Sequence, residues 1–145
     1  MSVAAPSVGL MQAAATFEVT EFRPVEYTSP IDTGTPVGQA VISKQISGAI
    51  QGRSVAQFAG AYDQANGRGS YVALETFEGS IDGRSGTLAF AHTNTTGGRD
   101  AARDHHLLII VPGSGTADLA GIEGTGALQV DDDGTHRLTL DYELG

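Results

Sequence analysis

The chain has 145 residues, which is enough for one domain that buries most of a single hydrophobic core. Its formal charge of −9 makes nucleic acid an unfavourable partner, because an acidic surface repels phosphate groups. It has no cysteine, which excludes disulfides, thiolate nucleophiles and cysteine-ligated zinc, and no apolar run approaches the roughly 18 to 20 residues of a membrane-spanning helix.

The first residues differ in composition from the rest of the chain. Residues 1–13 lack the basic start and the long apolar centre of a secretory signal, so they predict a flexible N-terminal arm and a cytoplasmic protein. Residues 14–145 are then expected to form a single domain.

Alternation with a period of two predominates after the arm and is typical of strands with one buried face. Eight strands are predicted, with approximate bounds 15–22, 39–47, 53–62, 70–81, 84–95, 105–111, 127–130 and 135–144. Residues 25–38, with two prolines and two glycines, predict a long loop, 97–104 a polar loop, and 112–126 a glycine-rich connection. The strand at 105–111, "HHLLIIV", is interpreted as fully buried.

The phrase Gly-x-Ile-x-Gly-Arg-Ser occurs twice, beginning at Gly48 and at Gly79. Each copy is interpreted as a hairpin turn, at Gln51-Gly52 and at Asp82-Gly83, because glycine supplies the positive φ that tight turns require. Asn66-Gly67 predicts a further turn. Sequential hairpins favour an up-and-down antiparallel β-barrel, since closure removes exposed strand edges.

Three stretches resemble a bacterial family of unknown function, DUF3224, which is grouped with the allene oxide cyclase barrel-like proteins. They are "SYVALETFEGSIDGRSGTLAFAH", "VPGSGTADLAGIEGTGAL" and "LDYEL", and the resemblance extends from about Thr16 to Leu144. The segment "GSGTADLAGIEGTG" is similar to a glycine-rich signature of dirigent proteins and allene oxide cyclases, although Ala117 stands where a second glycine is usual. The resemblance implies an eight-stranded antiparallel barrel with a central cavity, and it carries no catalytic residues over.

Glu75 is the first candidate for a buried functional group. It shares one face of its strand with Tyr71 and Phe77, and these aromatic neighbours favour that face as the interior. If Ile81 pairs with Arg84 across the Asp82-Gly83 turn, Glu75 lies diagonal to His92, within reach of a side-chain contact.

Lys44 and His92 complete the predicted catalytic set with Glu75. Lys44 lies on an otherwise apolar strand face, which either lines the interior or is turned outward and covered by neighbouring residues. An inward lysine would supply the partner that a buried carboxylate needs. Two interpretations stay open: an ion pair that maintains the barrel's shape, or a general acid–base group in which the His92 imidazole titrates near neutral pH.

Further residues are expected to line a ligand cavity. The predicted ligand-binding residues are Tyr62, Tyr71, Phe77, Phe90, His106 and Leu108. His105 and His106 alternate across their strand, so only one points inward, and two adjacent histidines do not make a metal site. The loop at 113–121 lacks the Lys-Ser/Thr of a phosphate-binding loop, and residues 131–134 lack the spaced ligands of a calcium loop. No metal and no cofactor are expected.

Three functions are compatible with this pattern. The favoured hypothesis is a cofactor-independent cyclase or isomerase that folds a hydrophobic, polyketide- or lipid-like molecule inside the barrel. The alternatives are a barrel that binds a hydrophobic small molecule without chemistry, and a structural barrel filled by its own side chains. No membrane association is expected, and pairing of barrels into a homodimer is left open.

Overall fold

The chain folds into a closed ring of eight antiparallel strands joined in sequence order, which confirms the predicted barrel. The architecture is that of a computed structural model, which describes residues 9–63, 65–97 and 105–145. The strands are β1 (Met11–Val25), β2 (Val37–Gly48), β3 (Ile50–Asp63), β4 (Arg68–Ile81), β5 (Arg84–Thr96), β6 (His105–Ile110), β7 (Ile122–Val130) and β8 (His136–Leu144). Pairing of β1 with β8 closes the ring.

The hydrophobic core fills the end of the barrel where β1 begins and β8 ends. Ile46, Phe77, Phe90 and Leu138 pack there with other inward side chains. A 3-10 turn at Ala117–Leu119 adds Leu119 to this core. We call this the closed end and the opposite end, where β1 ends and β4 begins, the mouth.

The β4–β5 hairpin has the predicted register. Ile81 pairs with Arg84, and the two turn residues have the positive φ angles of a tight hairpin, 49° at Asp82 and 82° at Gly83. Glu75 therefore lies opposite Phe90, and Ala73 lies opposite His92. Alternation along β4 and β5 places Glu75 and His92 on the same inner face.

The other copy of the repeated phrase is not a turn, contrary to the prediction. The chain reverses around Ala49, between β2 and β3, and Gln51-Gly52 belongs to β3. Gly52 lies opposite Gly79, and a Cβ on Gly52 would lie 2.1 Å from the Glu78 carbonyl oxygen. The glycine therefore permits two strands to approach closely rather than to turn.

Several element bounds also differ from the prediction. Strand β1 starts at Met11, so residues 11–13 pair with β8 and are part of the barrel rather than of the arm. Strand β7 starts at Ile122, inside the predicted glycine-rich connection. Residues 1–8 of the predicted arm and 98–104 of the predicted polar loop lie outside the described residues.

Strand β6 is buried on one face only, which corrects the expectation of a fully buried strand. Leu108 and Ile110 are buried inside the barrel, whereas Leu107 and Ile109 are exposed on its outer wall. The four consecutive aliphatic residues of β6 therefore contribute alternately to the barrel interior and to its outer wall. Among the described residues, no helix has the length and hydropathy to cross a membrane.

The wall of the barrel is taller on one side of the mouth. Residues Met11–Phe17 of β1 pair with β8, and β1 continues to Val25 in contact with β2. Inward side chains in this tall part of the wall remain accessible. Phe22, which pairs with Ile42, exposes more than half of its surface. On the lower part of the rim, Val130 of β7, opposite His136, does the same.

Candidate functional site

A cluster of polar side chains occupies the barrel interior between the hydrophobic core and the mouth. We call it the polar cluster, and its members are Lys44 on β2, Ser54 on β3, Tyr71 and Glu75 on β4, and His92 on β5. Each points inward because its strand alternates between buried and exposed residues. Glu75 is only 1% exposed, Lys44 7% and His92 6%.

Glu75 is the centre of the polar cluster because three donors converge on its carboxylate. Lys44 Nζ and His92 Nε2 each lie 2.9 Å from Oε1, and Ser54 Oγ lies 2.5 Å from Oε2. Burial alone would raise the pKa of Glu75, but the hydrogen bond from His92, the charge of Lys44 and the hydrogen bond from Ser54 outweigh it, so the pKa lies below its usual value. Glu75 is thus an ionised carboxylate inside an apolar barrel.

His92 connects Glu75 to Tyr71. A carboxylate can only accept hydrogen bonds, so His92 Nε2 carries the proton that it shares with Glu75. The opposite ring nitrogen, Nδ1, lies 2.8 Å from Tyr71 Oη. Burial raises the pKa of Tyr71 to about 12, with smaller contributions from Tyr62 and Glu75, so the phenol keeps its proton near neutral pH and lies within hydrogen-bond distance of the imidazole.

The result is a continuous chain of hydrogen bonds from Tyr71 through His92 to Glu75 and Lys44. Its inner end is buried and charged, since the Lys44 ammonium balances the Glu75 carboxylate. Phe17 covers Lys44, whose Nζ lies 4.7 Å from the ring centroid. Its outer end is the half-buried phenol of Tyr71, which stacks on Phe58 with ring centroids 5.2 Å apart.

The structure brings the three predicted catalytic residues into direct contact. Lys44 and His92 both bind Glu75, and Tyr71, predicted as a ligand-binding residue, extends the set toward the mouth. Tyr62 is also inward and half-buried, nearer the rim of the mouth, and burial raises its pKa.

The remaining predicted ligand-binding residues are not part of the polar cluster. Phe77, Phe90 and Leu108 are inward but fully buried in the hydrophobic core. They therefore pack on the side of the polar cluster that faces the closed end. His106 is exposed at the mouth, opposite Asn94, and its Nε2 accepts a hydrogen bond from the Leu128 backbone N–H. It bridges β6 and β7 at the mouth.

Two residues of the site had no sequence-based prediction. Ser54 was not among the predicted residues, and the turn placed at Gln51-Gly52 gives β3 the wrong register against β2. Phe58 lies on the same inner face of β3 as the predicted residue Tyr62. With the turn at Ala49, the register places Ser54 directly opposite Lys44.

Comparisons with known proteins identify the family and the fold. The family described as "Protein of unknown function (DUF3224)" matches residues 13–142, so the chain belongs to that family. A crystal structure of a DUF3224 protein of unknown function from Shewanella oneidensis MR-1 is similar, with a TM-score of 0.81 and 24% identity over 94% of this chain and 98% of that one. No curated protein matches the chain.

Proposed function

We propose that this DUF3224 member is a cofactor-independent isomerase or cyclase that acts on a hydrophobic small molecule held at the mouth of the barrel. One observation carries the proposal: the chain of hydrogen bonds that begins at the half-buried phenol of Tyr71 and ends at the buried Glu75–Lys44 ion pair. Such a chain accepts a proton at its accessible end and stabilises the resulting charge at its buried end.

The proposed reaction begins at a C–H bond next to a carbonyl group of the ligand. The proton passes to Tyr71 Oη while the phenol passes its own proton to His92 Nδ1, and the bonding electron pair enters an enolate. The two transfers are coupled, because the pKa of Tyr71, raised to about 12 by burial, disfavours a free phenolate. The imidazolium formed at His92 is stabilised by Glu75, 2.9 Å away.

The reverse relay completes the reaction without any other reactant. Return of the proton to a different carbon gives an isomer. Alternatively, the enolate carbon attacks a second carbonyl carbon of the same molecule, and the proton goes to the new alkoxide oxygen, which gives a ring. Both products have the composition of the starting ligand, so neither route needs an oxidant, a reductant or a cofactor.

The mouth provides the setting that a hydrophobic ligand needs. Phe22 and Val130 present accessible apolar surface on the inner side of the wall, and Phe58 places an aromatic face beside Tyr71. An apolar wall excludes water from the reacting carbonyl and strengthens the electrostatic interactions of the polar cluster.

The alternative is a barrel that binds the same kind of molecule without chemistry. It is favoured by the completeness of the polar cluster, because both oxygens of Glu75 already accept hydrogen bonds from protein donors. A fully satisfied network of this kind also rigidifies a barrel, with or without a ligand.

Hydrogen exchange at carbon separates these functions without knowledge of the natural ligand. The protein is incubated in D2O with apolar ketones such as α-tetralone and methyl octyl ketone, and deuterium incorporation next to the carbonyl is measured by mass spectrometry. We expect exchange that exceeds the buffer rate and falls about a hundredfold or more in Tyr71→Phe and His92→Gln. Tyr27→Phe, which alters an exposed tyrosine outside the polar cluster, is the matched control.

The other outcomes identify the alternatives. Binding of a ketone, detected as a thermal shift, without exchange would indicate a non-catalytic binding barrel. Absence of both, together with no small molecule retained by protein purified natively from its host, would indicate a structural barrel.

A further inference from the structure

A second apolar surface lies on the outside of the barrel and plays no part in the proposed reaction. We call it the outer apolar face; it consists of Val72 and Leu74 on β4, Ala91 on β5, and Leu107 and Ile109 on β6. Val72, Leu74 and Leu107 each expose more than half of their surface. Strand register aligns Leu74, Ala91 and Ile109 in one row across the three strands.

The outer apolar face is large and shallow. It forms an open groove of about 570 Å³ bordered by the polar side chains Gln39 and Gln57. Contiguous exposed apolar patches of a few hundred Å² in soluble proteins usually mark interaction sites. Because this face lies on regular paired strands, its shape is set before any partner arrives.

The outward residues of β4 form a pattern that is complementary to itself. In order from the mouth to the closed end the first six are Arg68, Ser70, Val72, Leu74, Thr76 and Glu78, and Ser80 follows them. Arg68 and Glu78 lie equally far from Ala73, the midpoint, and so do Ser70 and Thr76, and Val72 and Leu74. A two-fold rotation about an axis through this midpoint, lying in the plane of contact and perpendicular to β4, places the positive end of one strand over the negative end of the other.

The charge distribution favours the same arrangement. The five side chains of the outer apolar face are uncharged, although the chain carries a formal charge of −9. Two copies of a strongly acidic protein repel each other over most surfaces, so an uncharged face is the surface on which they can meet. The charges at its two ends each have an oppositely charged neighbour on β3, because Arg68 lies opposite Asp63 and Glu78 pairs with Arg53.

We propose that the outer apolar face is the interface of a two-fold symmetric homodimer, in which β4 of one copy packs antiparallel over β4 of the second. Val72 and Leu74 of the two copies interdigitate at the centre, and Arg68 of each copy pairs with Glu78 of the other at the rim. Packed sheets lie about 10 Å apart, a distance that an arginine and a glutamate side chain together can span. Such an isologous contact is closed, so assembly stops at two copies.

Sedimentation equilibrium of the full chain tests the interface directly. We expect a dimer at micromolar concentrations, and Leu74→Asp should weaken association at least about 100-fold, because it places two carboxylates in the apolar centre. Ile31→Asp is the matched control, since Ile31 is an exposed aliphatic residue on the β1–β2 loop. It should leave the dimer intact.

Charge reversal tests the predicted pairing at the rim. Arg68→Glu makes the chain more acidic and Glu78→Arg makes it less acidic, so an effect of net charge alone would move the two variants in opposite directions. We expect each to weaken the dimer, by about three- to tenfold, and the double variant to recover part of the loss. Recovery is partial because Arg53, which pairs with Glu78 within the same copy, would face the new arginine.

The overturning results are equally specific. A wild-type chain that stays monomeric at about 100 μM would overturn the proposal, as would a dimer or larger assembly that persists in Leu74→Asp. Circular dichroism and thermal unfolding verify that each variant is folded. None of these residues belongs to the polar cluster, so the proposed function stands or falls separately.

Discussion

Glu75 shows how one carboxylate is kept ionised inside an apolar barrel. Desolvation of a carboxylate costs several kcal/mol, and the protein offsets it with three donors rather than one. Replacement of a buried ion pair by apolar side chains of similar volume is often neutral or stabilising, so the pair is not explained by stability. The proposed function gives the pair a role, because it would stabilise the charge that the proposed relay places on His92.

The Glu75–Lys44 pair leads to a prediction about stability and pH. Because the folded-state pKa of Glu75 lies below the ordinary glutamate value of 4.5, its stabilising contribution is present above pH 4.5 and is lost as the pH falls through the folded-state pKa. Glu75→Gln should lack this acid-dependent loss. Near neutral pH it should reduce the free energy of unfolding by about 3–5 kcal/mol, because it leaves the Lys44 charge buried without a partner.

Chemical denaturation of both proteins at a series of pH values measures the effect. Glu123→Gln, which changes an exposed glutamate on β7, is the control and should follow the wild type at every pH. Equal stability of Glu75→Gln and wild type near neutral pH would contradict the ion pair.

At the scale of the element, one hairpin was predicted correctly and another was not, although the same pattern Gly-x-Ile-x-Gly-Arg-Ser occurs at both. Asp82-Gly83 is flanked by Ile81 and Arg84, so the turn itself defines the register of β4 against β5. A turn at Gln51-Gly52 would instead pair Lys44 with Ala59, whereas Lys44 pairs with Ser54. The difference is an odd number of residues, so every side chain of β3 changes face.

The register error concerns the contact between β2 and β3, whereas other parts of the site were predicted from single strands. The inward positions of Glu75, His92 and Lys44 were predicted from alternation together with the apolar and aromatic neighbours on the same strand faces. Ser54 depended on the β2–β3 register and could not be found from its own strand, where small and polar residues occur on both faces. Accessibility could not be read from the pattern either: Phe77 and Phe90 alternate like Tyr71, but only Tyr71 lies near the mouth.

The glycine pair that replaces the expected turn supports a second prediction. In Gly79→Ala the new Cβ would lie 2.0 Å from the Gln51 carbonyl oxygen at a backbone φ of 155°. Strands β3 and β4 would have to separate, and we expect a loss of about 2–4 kcal/mol in the free energy of unfolding.

Urea denaturation measures that loss, and Gly38→Ala is the control because nothing lies within 4 Å of its added Cβ. Gly38→Ala should be neutral or stabilise the fold by up to about 1 kcal/mol, since alanine reduces the entropy of the unfolded chain. Comparable losses in both variants would show that strand glycines matter only for their flexibility.

At the scale of the whole molecule, the barrel follows from sequential hairpins with no free edge, and this much was readable from the order of strands and turns. The division of the barrel interior into a filled hydrophobic core and an open mouth could not be predicted from that order. Which levels are filled by the core and which open at the mouth depends on how the strands stagger around the ring, and no local pattern encodes that stagger. The outer apolar face is a further consequence, since residues 107–110 of β6 are all aliphatic although they face two different environments.

The net charge and the proposed dimer interface make opposing contributions to self-association, and their magnitudes decide the effect of salt. At about 10 mM ionic strength the Debye length is about 30 Å, so two copies of charge −9 repel by about 3 kcal/mol. The two rim pairs of Arg68 with Glu78 contribute only about 0.2–1 kcal/mol each. Near 150 mM the Debye length is about 8 Å, and both contributions are small.

Association should therefore tighten, by about tenfold, as the ionic strength rises from roughly 10 to 150 mM. Sedimentation equilibrium across a sodium chloride series measures the change. Arg68→Glu increases the repulsion between the copies and removes the attraction at the rim, so its dimer dissociation constant should depend more strongly on salt concentration. Weaker association at higher salt would mean that charge pairs rather than Val72 and Leu74 hold the copies together. Because apolar burial is insensitive to screening, the sign of the salt dependence reports which part of the face dominates the contact.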